Sequence, residues 1–380
     1  MMEYYDIAGV RGYEWKPFGP EMRTANWSYF SFDPPEKQDL EKSDRYREIT
    51  FPEGMENWFA TDFDQSGPVQ TICSDWTSNP RKDALGLRLA GALHHAVLSG
   101  TSPDLAAVYP ARSPDWDMDR VWPVARLWLK ENTEHVRAFI QSPPQTNETR
   151  RSIILLPGFL KLAARFGQPL HLLELGASAG LNQNWDRFNY QTESWQRRGT
   201  SDVTIRTDWR AAVPEHVDAE IEVATRQACD LKPVDLSEPG QAMRLKCYTW
   251  PDQDERLQRL DAAIQLAQDA GTKVEQADAL SWLKDKLSNR PKTGVTVIYH
   301  SVFLIYPPRE VIAAIMDTIR MAGDGATEQA PLAWLSYESE ALFGGDRQSP
   351  KMRARLETWP GGAVETYAES DGHVTSVEDY

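Results

Sequence analysis

Residues 170–182 read Leu-His-Leu-Leu-Glu-Leu-Gly-Ala-Ser-Ala-Gly-Leu-Asn. A mostly apolar run ends at an acid, Glu174, and passes through Leu175 into a small-residue loop, Gly176 to Gly180. A short apolar run bounded by glycine reads as a buried strand. Small residues directly after a strand let the backbone approach a ligand closely. The N–H groups of a following helix then point at that ligand. This junction decides the fold, because a strand, a small-residue loop and a helix start in that order open an α/β domain.

The loop admits three chemistries. One is the glycine-rich loop of an S-adenosylmethionine (SAM) methyltransferase, with Glu174 as its acid and Gly176, Ser178 and Gly180 at alternate positions. Ala177 and Asn182 complete the candidate cofactor contacts on this stretch. A second is a nicotinamide-type G-x-G-x-x-G loop, which needs glycines at 176, 178 and 181; Ser178 and Leu181 fail it. A third is a serine-hydrolase elbow, because Gly176-Ala-Ser178-Ala-Gly180 is literally G-x-S-x-G, with Ser178 as nucleophile.

Composition narrows the field. The chain has 380 residues, 41% of them apolar, and a formal net charge of −15. That length accommodates two domains, or one with a large extension. The negative charge argues against general nucleic-acid binding, which draws its affinity from Lys and Arg on phosphates. It suits a cytoplasmic protein acting on a small molecule or another protein. Cys73, Cys229 and Cys247 form no C-x-x-C pair, so no metal site is expected and the thiols are expected reduced. The first six residues lack a signal-peptide pattern. The run from Ile153 to Leu162, broken by Pro157 and Gly158, is too short to span a bilayer.

The pattern along the chain is uneven. Residues 1–65 are rich in aromatics, proline and charge without a sustained period, and read as an extension. Residues 66–150 read as mainly helical: Leu85, Leu89, Leu93 and Val97 recur at helical spacing, and 121–140 forms a further helical segment. Adjacent His94 and His95 point to different faces and make poor joint metal ligands. A helix over 153–166 leads into the key strand. Residues 151–380 then form the Rossmann-like domain. Strands are expected at 170–175, 203–208, 220–228, 273–277, 295–300 and 331–336, and helices at 180–187, 253–270, 279–288 and 308–322. The tail, 353–377, reads as antiparallel strands joined by Gly361-Gly362 and Asp371-Gly372 turns.

This layout favours the methyltransferase reading over the elbow, which needs most of its sheet before the serine. The SAM reading asks for an acid at the end of the second core strand, to receive ribose hydroxyls. Asp230, in Asp-Leu-Lys-Pro233, supplies one, and Asp208 competes for the role. It asks for a polar side chain after the third strand. Asp278 before Ala279 fits, and Asp278 would also cap a helix there. It asks for a buried fourth strand whose end faces substrate; Gly294 to Pro308 is such a strand and loop. On it, His300 is the candidate general base, with a hydrogen-bonded core histidine as the alternative. Tyr299 points to the opposite face, and Tyr306 is a candidate to close the pocket.

Gln145-Thr-Asn-Glu148, Leu155-Leu-Pro-Gly158, Leu173 to Asn182, Asp230-Leu-Lys-Pro233, Trp250-Pro-Asp-Gln253 and His300-Ser301 together resemble an uncharacterised bacterial family, catalogued as domain of unknown function 2332. The resemblance covers roughly residues 75–380. It implies a methyltransferase-like Rossmann fold behind a helical N-terminal part, with SAM as cofactor and no established substrate. Asn147, Glu148 and Trp250 are substrate-side candidates. Asn147 equally caps the first domain helix, and Trp250 equally packs in a core. Methyl transfer is chiefly alignment of nucleophile and methyl group, so a sparse catalytic set is expected. A non-catalytic SAM sensor or scaffold, and a serine hydrolase using Ser178, stand as alternatives.

Overall fold

The computed structural model describes residues 51–80, 83–110, 116–346 and 349–380. The expected extension up to residue 50 lies outside the described residues. The chain forms two units. Among the described residues, one comprises 51–146 and 238–258 and the other comprises 147–237 and 259–380.

The helical unit begins with α1 (Phe51–Asp64), α2 (Pro68–Cys73), α3 (Leu85–Leu98), α4 (Pro103–Val108), α5 (Met118–Glu131) and α6 (Thr133–Ile140). The sheet unit follows with α7 (Arg151–Phe166), β1 (Leu170–Leu175), a 3-10 helix (Leu181–Arg187), β2 (Asn189–Gln191), β3 (Gln196–Arg197), β4 (Thr204–Arg206), β5 (Asp208–Trp209) and β6 (Val223–Asp230). The chain returns to the helical unit for α8 (Pro239–Cys247) and the first turn of α9 (Asp254–Asp269). It then completes the sheet unit with β7 (Glu275–Gln276), α10 (Ala279–Ser288), β8 (Val295–Ser301), α11 (Arg309–Asp324), β9 (Leu332–Ser339), β10 (Met352–Trp359), β11 (Ala363–Ser370) and β12 (Ser376–Asp379).

In the helical unit, the Leu85, Leu89, Leu93 and Val97 stripe of α3 is buried among Met55, Phe59, Val121 and Leu129. The single helical segment expected over 121–140 breaks at Asn132, whose backbone leaves the helix and whose side chain donates to the Trp128 carbonyl at 2.9 Å. Short amides compete with the helix ladder in this way. His94 is buried with Nδ1 3.3 Å from the Cys247 carbonyl, and burial pushes its pKa down to about 4. His95 is only half-buried, beside His135 and Phe139.

The sheet unit is a mixed α/β structure built on nine strands in the order β7-β6-β1-β8-β9-β10-β11-β12-β5. The first five are parallel, β10 to β12 continue as an antiparallel meander, and β5 pairs parallel with β12. A separate three-stranded sheet, β3-β2-β4, is formed by the chain between β1 and β6. β1 and β8 are nearly continuous apolar runs because helices cover both faces of a parallel sheet. On one face lies α7, which ends at Gly167 in the left-handed conformation. Its Gly158 permits the approach: a Cβ there would lie 2.4 Å from the Leu335 side chain of β9. The opposite face buries Leu173, Ile298 and Trp334 against Trp282, Leu283, Ile312 and Ile315 of α10 and α11.

One expectation changes. The helix at 180–187 is a 3-10 helix rather than an α-helix, with Asn184 at non-helical angles. The strand that ends at Asp230, 223–230, lies beside β1 as expected, whereas 204–206 and 208–209 sit elsewhere. Among the described residues, no helix is long and apolar enough to cross a membrane.

Candidate functional site

From β1 the chain steps outward to β6 and β7, then crosses to β8 and β9 on the other side. The order reverses between β1 and β8, and open parallel sheets receive ligands outside the carboxyl ends at such a point. The loop quoted first lies there. Gly176, Ser178 and Gly180 all have positive φ, at +67°, +53° and +73°. Glycine adopts this conformation freely; serine does so at a cost of roughly 1–2 kcal/mol. Hydrogen bonds hold Ser178 in place. Its N–H donates to Asp230 Oδ2 at 2.8 Å, and its carbonyl accepts from the Val234 N–H at 3.1 Å. The second Asp230 oxygen accepts from the Lys232 N–H at 2.8 Å. Thus the carboxylate at the end of β6 is fixed against the loop at the end of β1. Asp208, the rival acid, is instead in β5 and pairs with Arg210.

The loop's other contacts are less open than its composition suggests. A Cβ on Gly176 would lie 2.4 Å from the Phe303 ring, so the close approach that this glycine permits is made by a side chain of the chain itself. The first N–H of the 3-10 helix, at Leu181, is taken by Asn147 Oδ1 at 3.0 Å. Asn147 therefore caps the helix after β1, not α7. Two oxygens here make no hydrogen bond within the protein: Ser178 Oγ and Asn182 Oδ1, both buried. A buried oxygen left unpaired costs about 1–3 kcal/mol, which a donor from a bound molecule recovers. No histidine engages Ser178 Oγ, so the elbow reading has no base beside its nucleophile.

Glu174 is buried and faces Tyr299 across β1 and β8, receiving that hydroxyl at 3.1 Å. Burial pushes the Glu174 carboxyl up to about 8, so it holds its proton at neutral pH. Burial likewise raises the Tyr299 phenol. Tyr299 and His300 lie on opposite faces, as strand alternation requires. His300 Nε2 accepts from the Trp334 indole at 2.9 Å, and its Nδ1 lies 2.6 Å from Glu338 Oε1. An indole only donates, which places the imidazole proton on Nδ1. Both ring nitrogens are engaged inside the core, and the side chain exposes 0% of its surface. His300 is thus a hydrogen-bonded core histidine and not a base facing the crevice. Glu338 also accepts the Phe303 N–H at 2.8 Å and the Leu304 N–H at 3.2 Å. These bonds hold a turn containing Val302 at φ +53°, an uncommon conformation for a β-branched residue.

Glu148 is buried in an ion pair with Arg259 at 3.1 Å, and the same oxygen accepts the Arg150 N–H. Its backbone carbonyl receives the Asn182 amide at 3.2 Å. His373 Nδ1 is 3.8 Å from Glu148, with 49% of the side chain exposed. Arg151 ties this cluster to the sheet end, donating to the Gly372 carbonyl and to the Ser301 carbonyl. Asp278 caps α10 by accepting the Ser281 N–H at 2.9 Å, with Ala279 as first helical residue. Tyr306, 66% exposed, stands on the loop after β8. Trp250 belongs to the helical unit, partly buried against its core.

The crevice end therefore gathers Gly176 to Asn182, Asp230, Asn147 and Glu148, and leaves the His300 imidazole out. In the sequence Arg151 and Leu231 carry no site signal of their own, and His373, beside Asp371, reads as part of a hairpin turn. Leu231 follows Asp230 directly and is 68% exposed, an apolar surface beside the fixed carboxylate. Its position in Asp-Leu-Lys-Pro was visible; its exposure was not.

The family model described as uncharacterized protein conserved in bacteria (DUF2332) matches residues 54–378, and the chain belongs to that family. No curated protein and no solved structure matches the chain.

Proposed function

We propose that this chain binds S-adenosylmethionine at the carboxyl ends of β1, β6 and β8 and transfers its methyl group to a small-molecule or protein acceptor. One observation carries the reading: an acid at the end of the strand beside β1, Asp230, is locked onto the small-residue loop after β1. In a methyltransferase-like Rossmann domain this is where the ribose hydroxyls are received. A carboxylate already held by two backbone N–H groups keeps further lone pairs for them. Leu231 offers an apolar face for the adenine, and the oxygens of Ser178 and Asn182 offer acceptors for the remaining donors. When bound, the cofactor supplies an electrophilic methyl group on a sulfonium. The protein's part is orientation, with proton removal where the acceptor needs it. His373, exposed and beside Glu148, is the imidazole placed for that step. Binding without transfer is the second reading, favoured by the closed hydrogen bonding of His300.

Calorimetric titration with SAM and S-adenosylhomocysteine tests the proposal. Both bind the wild-type chain. Asp230→Asn weakens them by on the order of tenfold to a thousandfold, since charge-assisted hydrogen bonds are worth roughly 1.5–3 kcal/mol each. Asp208→Ala leaves binding unchanged. A folded wild-type chain that binds neither compound refutes the reading.

A further inference from the structure

At the other end of the same strands the sheet carries a second polar feature. Thr225 of β6, His171 of β1 and Thr296 of β8 lie side by side in register on one face. Gln227 occupies the next row, beside Leu173. The next row on β1 and β8, Leu173 and Ile298, is apolar and packs in the core. The polar row lines a cavity of about 190 Å³ beneath the C-terminal end of α10. It lies near the amino ends of the strands, away from the crevice that holds Asp230.

The groups around it sort into engaged and open. Arg290 donates to the carbonyls of Ala330 and Gly325, Lys286 pairs with Glu275, and Asp285 accepts from Asn289. Lys286 thus has a counter-charge within the protein, while Arg290 and Asp285 spend hydrogen bonds on neutral groups. His171 Nδ1 meets the Thr225 hydroxyl at 3.0 Å. The Thr296 hydroxyl, on a residue 1% exposed, makes no hydrogen bond. Gln227 and His171 also line this space, and an amide or an imidazole can each donate or accept.

We infer that this cavity is a binding site for a small uncharged polyhydroxy compound of monosaccharide size. Sugar hydroxyls donate and accept at once, which matches a hydroxyl, an amide and an imidazole nitrogen. The C–H faces of such a ring pack on Leu173 and Pro291. The cavity walls offer no tryptophan, tyrosine or phenylalanine on which a nucleobase would stack. A charged ligand would have to displace these bonds to reach the three charged side chains.

The test is saturation-transfer NMR and calorimetry with D-glucose, D-ribose and myo-inositol, on the wild-type chain, Thr296→Val and Gln227→Leu. At least one compound binds the wild type at about 10 mM or below, and each variant weakens it at least about tenfold. Thr296→Val keeps the side-chain shape and melts no lower than wild type, because its hydroxyl has no protein partner to lose. Gln227→Leu, on a partly exposed residue, provides the second folded variant. The inference fails if none of the three compounds binds at that concentration, which is the behaviour of a cavity that holds only water. It fails equally if binding is indifferent to both substitutions. Neither outcome bears on the SAM proposal, whose residues lie at the opposite strand ends.

Discussion

Replacing Glu174 with glutamine should make the protein more stable at neutral pH, although Glu174 is the acid of the decisive stretch. Its carboxyl has a usual value of 4.5 and is raised to about 8 in the fold, first by burial, against the opposing Tyr299 hydrogen bond. Between those two pH values the folded chain holds one proton more than the unfolded chain. Stability therefore falls as pH rises, by about 1.4 kcal/mol per unit. The contribution is fully present below about pH 4.5 and lost by about pH 8, above which the slope vanishes. At pH 7 the loss amounts to roughly 3 kcal/mol. Glutamine keeps an oxygen for the Tyr299 hydroxyl and cannot ionise. Urea denaturation of wild type and Glu174→Gln, from pH 5 to pH 8.5, isolates the effect, because all other titrations cancel in the difference. The variant should gain on wild type by roughly 1.4 kcal/mol per unit up to pH 8 and then run parallel to it. A difference independent of pH, or one that shrinks as pH rises, would show that Glu174 is ionised in the fold.

Two further perturbations probe the walls of the crevice. Glu338→Ala strands the His300 Nδ1–H and two backbone N–H groups, and should cost roughly 3–5 kcal/mol in urea denaturation, from three buried donors; a loss below about 1 kcal/mol, the size expected at the surface, would contradict the bonding described. Gly176→Ala places a Cβ 2.4 Å from Phe303 at positive φ and should cost at least roughly 1–2 kcal/mol. Adding Phe303→Ala should recover part of that cost, and strict additivity of the two changes would deny the contact.

The sequence announced what local pattern controls. β1 has the bounds its apolar run implies, Leu170–Leu175, and the Gly158 approach follows from a small residue on an apolar helix face. The second strand was ambiguous for a physical reason. β6 has only the two-residue β7 beyond it, so one flank is poorly covered and its residues read Arg226-Gln227 where an interior strand would be apolar. Register carries the rest. His300 meets Trp334 and Glu338, respectively 34 and 38 residues onward, and no spacing in the chain reports that β8 and β9 align His300 with Ser336. The 3-10 helix is hidden in the sequence because Leu181 and Trp185 keep a helical spacing, while Asn182 and Asn184 are poor α-helix formers.

A buried polar group with every partner in place has nothing to offer a ligand; one with a partner missing does. The strand ends can be sorted on that basis. On one face Glu174 carries a proton and holds Tyr299; on the other His300 is closed between Trp334 and Glu338. In the sequence His300 reads as a base and Glu174 as a cofactor-binding acid, and both spend hydrogen bonds on the core. A second group comprises Ser178 Oγ and Asn182 Oδ1, which make no bond, and Asp230, whose two bonds leave further lone pairs. Ligand recognition at this end of the sheet has to come from that second group. The first group makes the site rigid: Glu338 fixes the turn that sets Phe303 on Gly176, and Glu174 braces β1 against β8 two residues before the loop begins. A fixed cradle loses less freedom when a ligand arrives, so residues that touch no ligand can still raise affinity through the loop they hold.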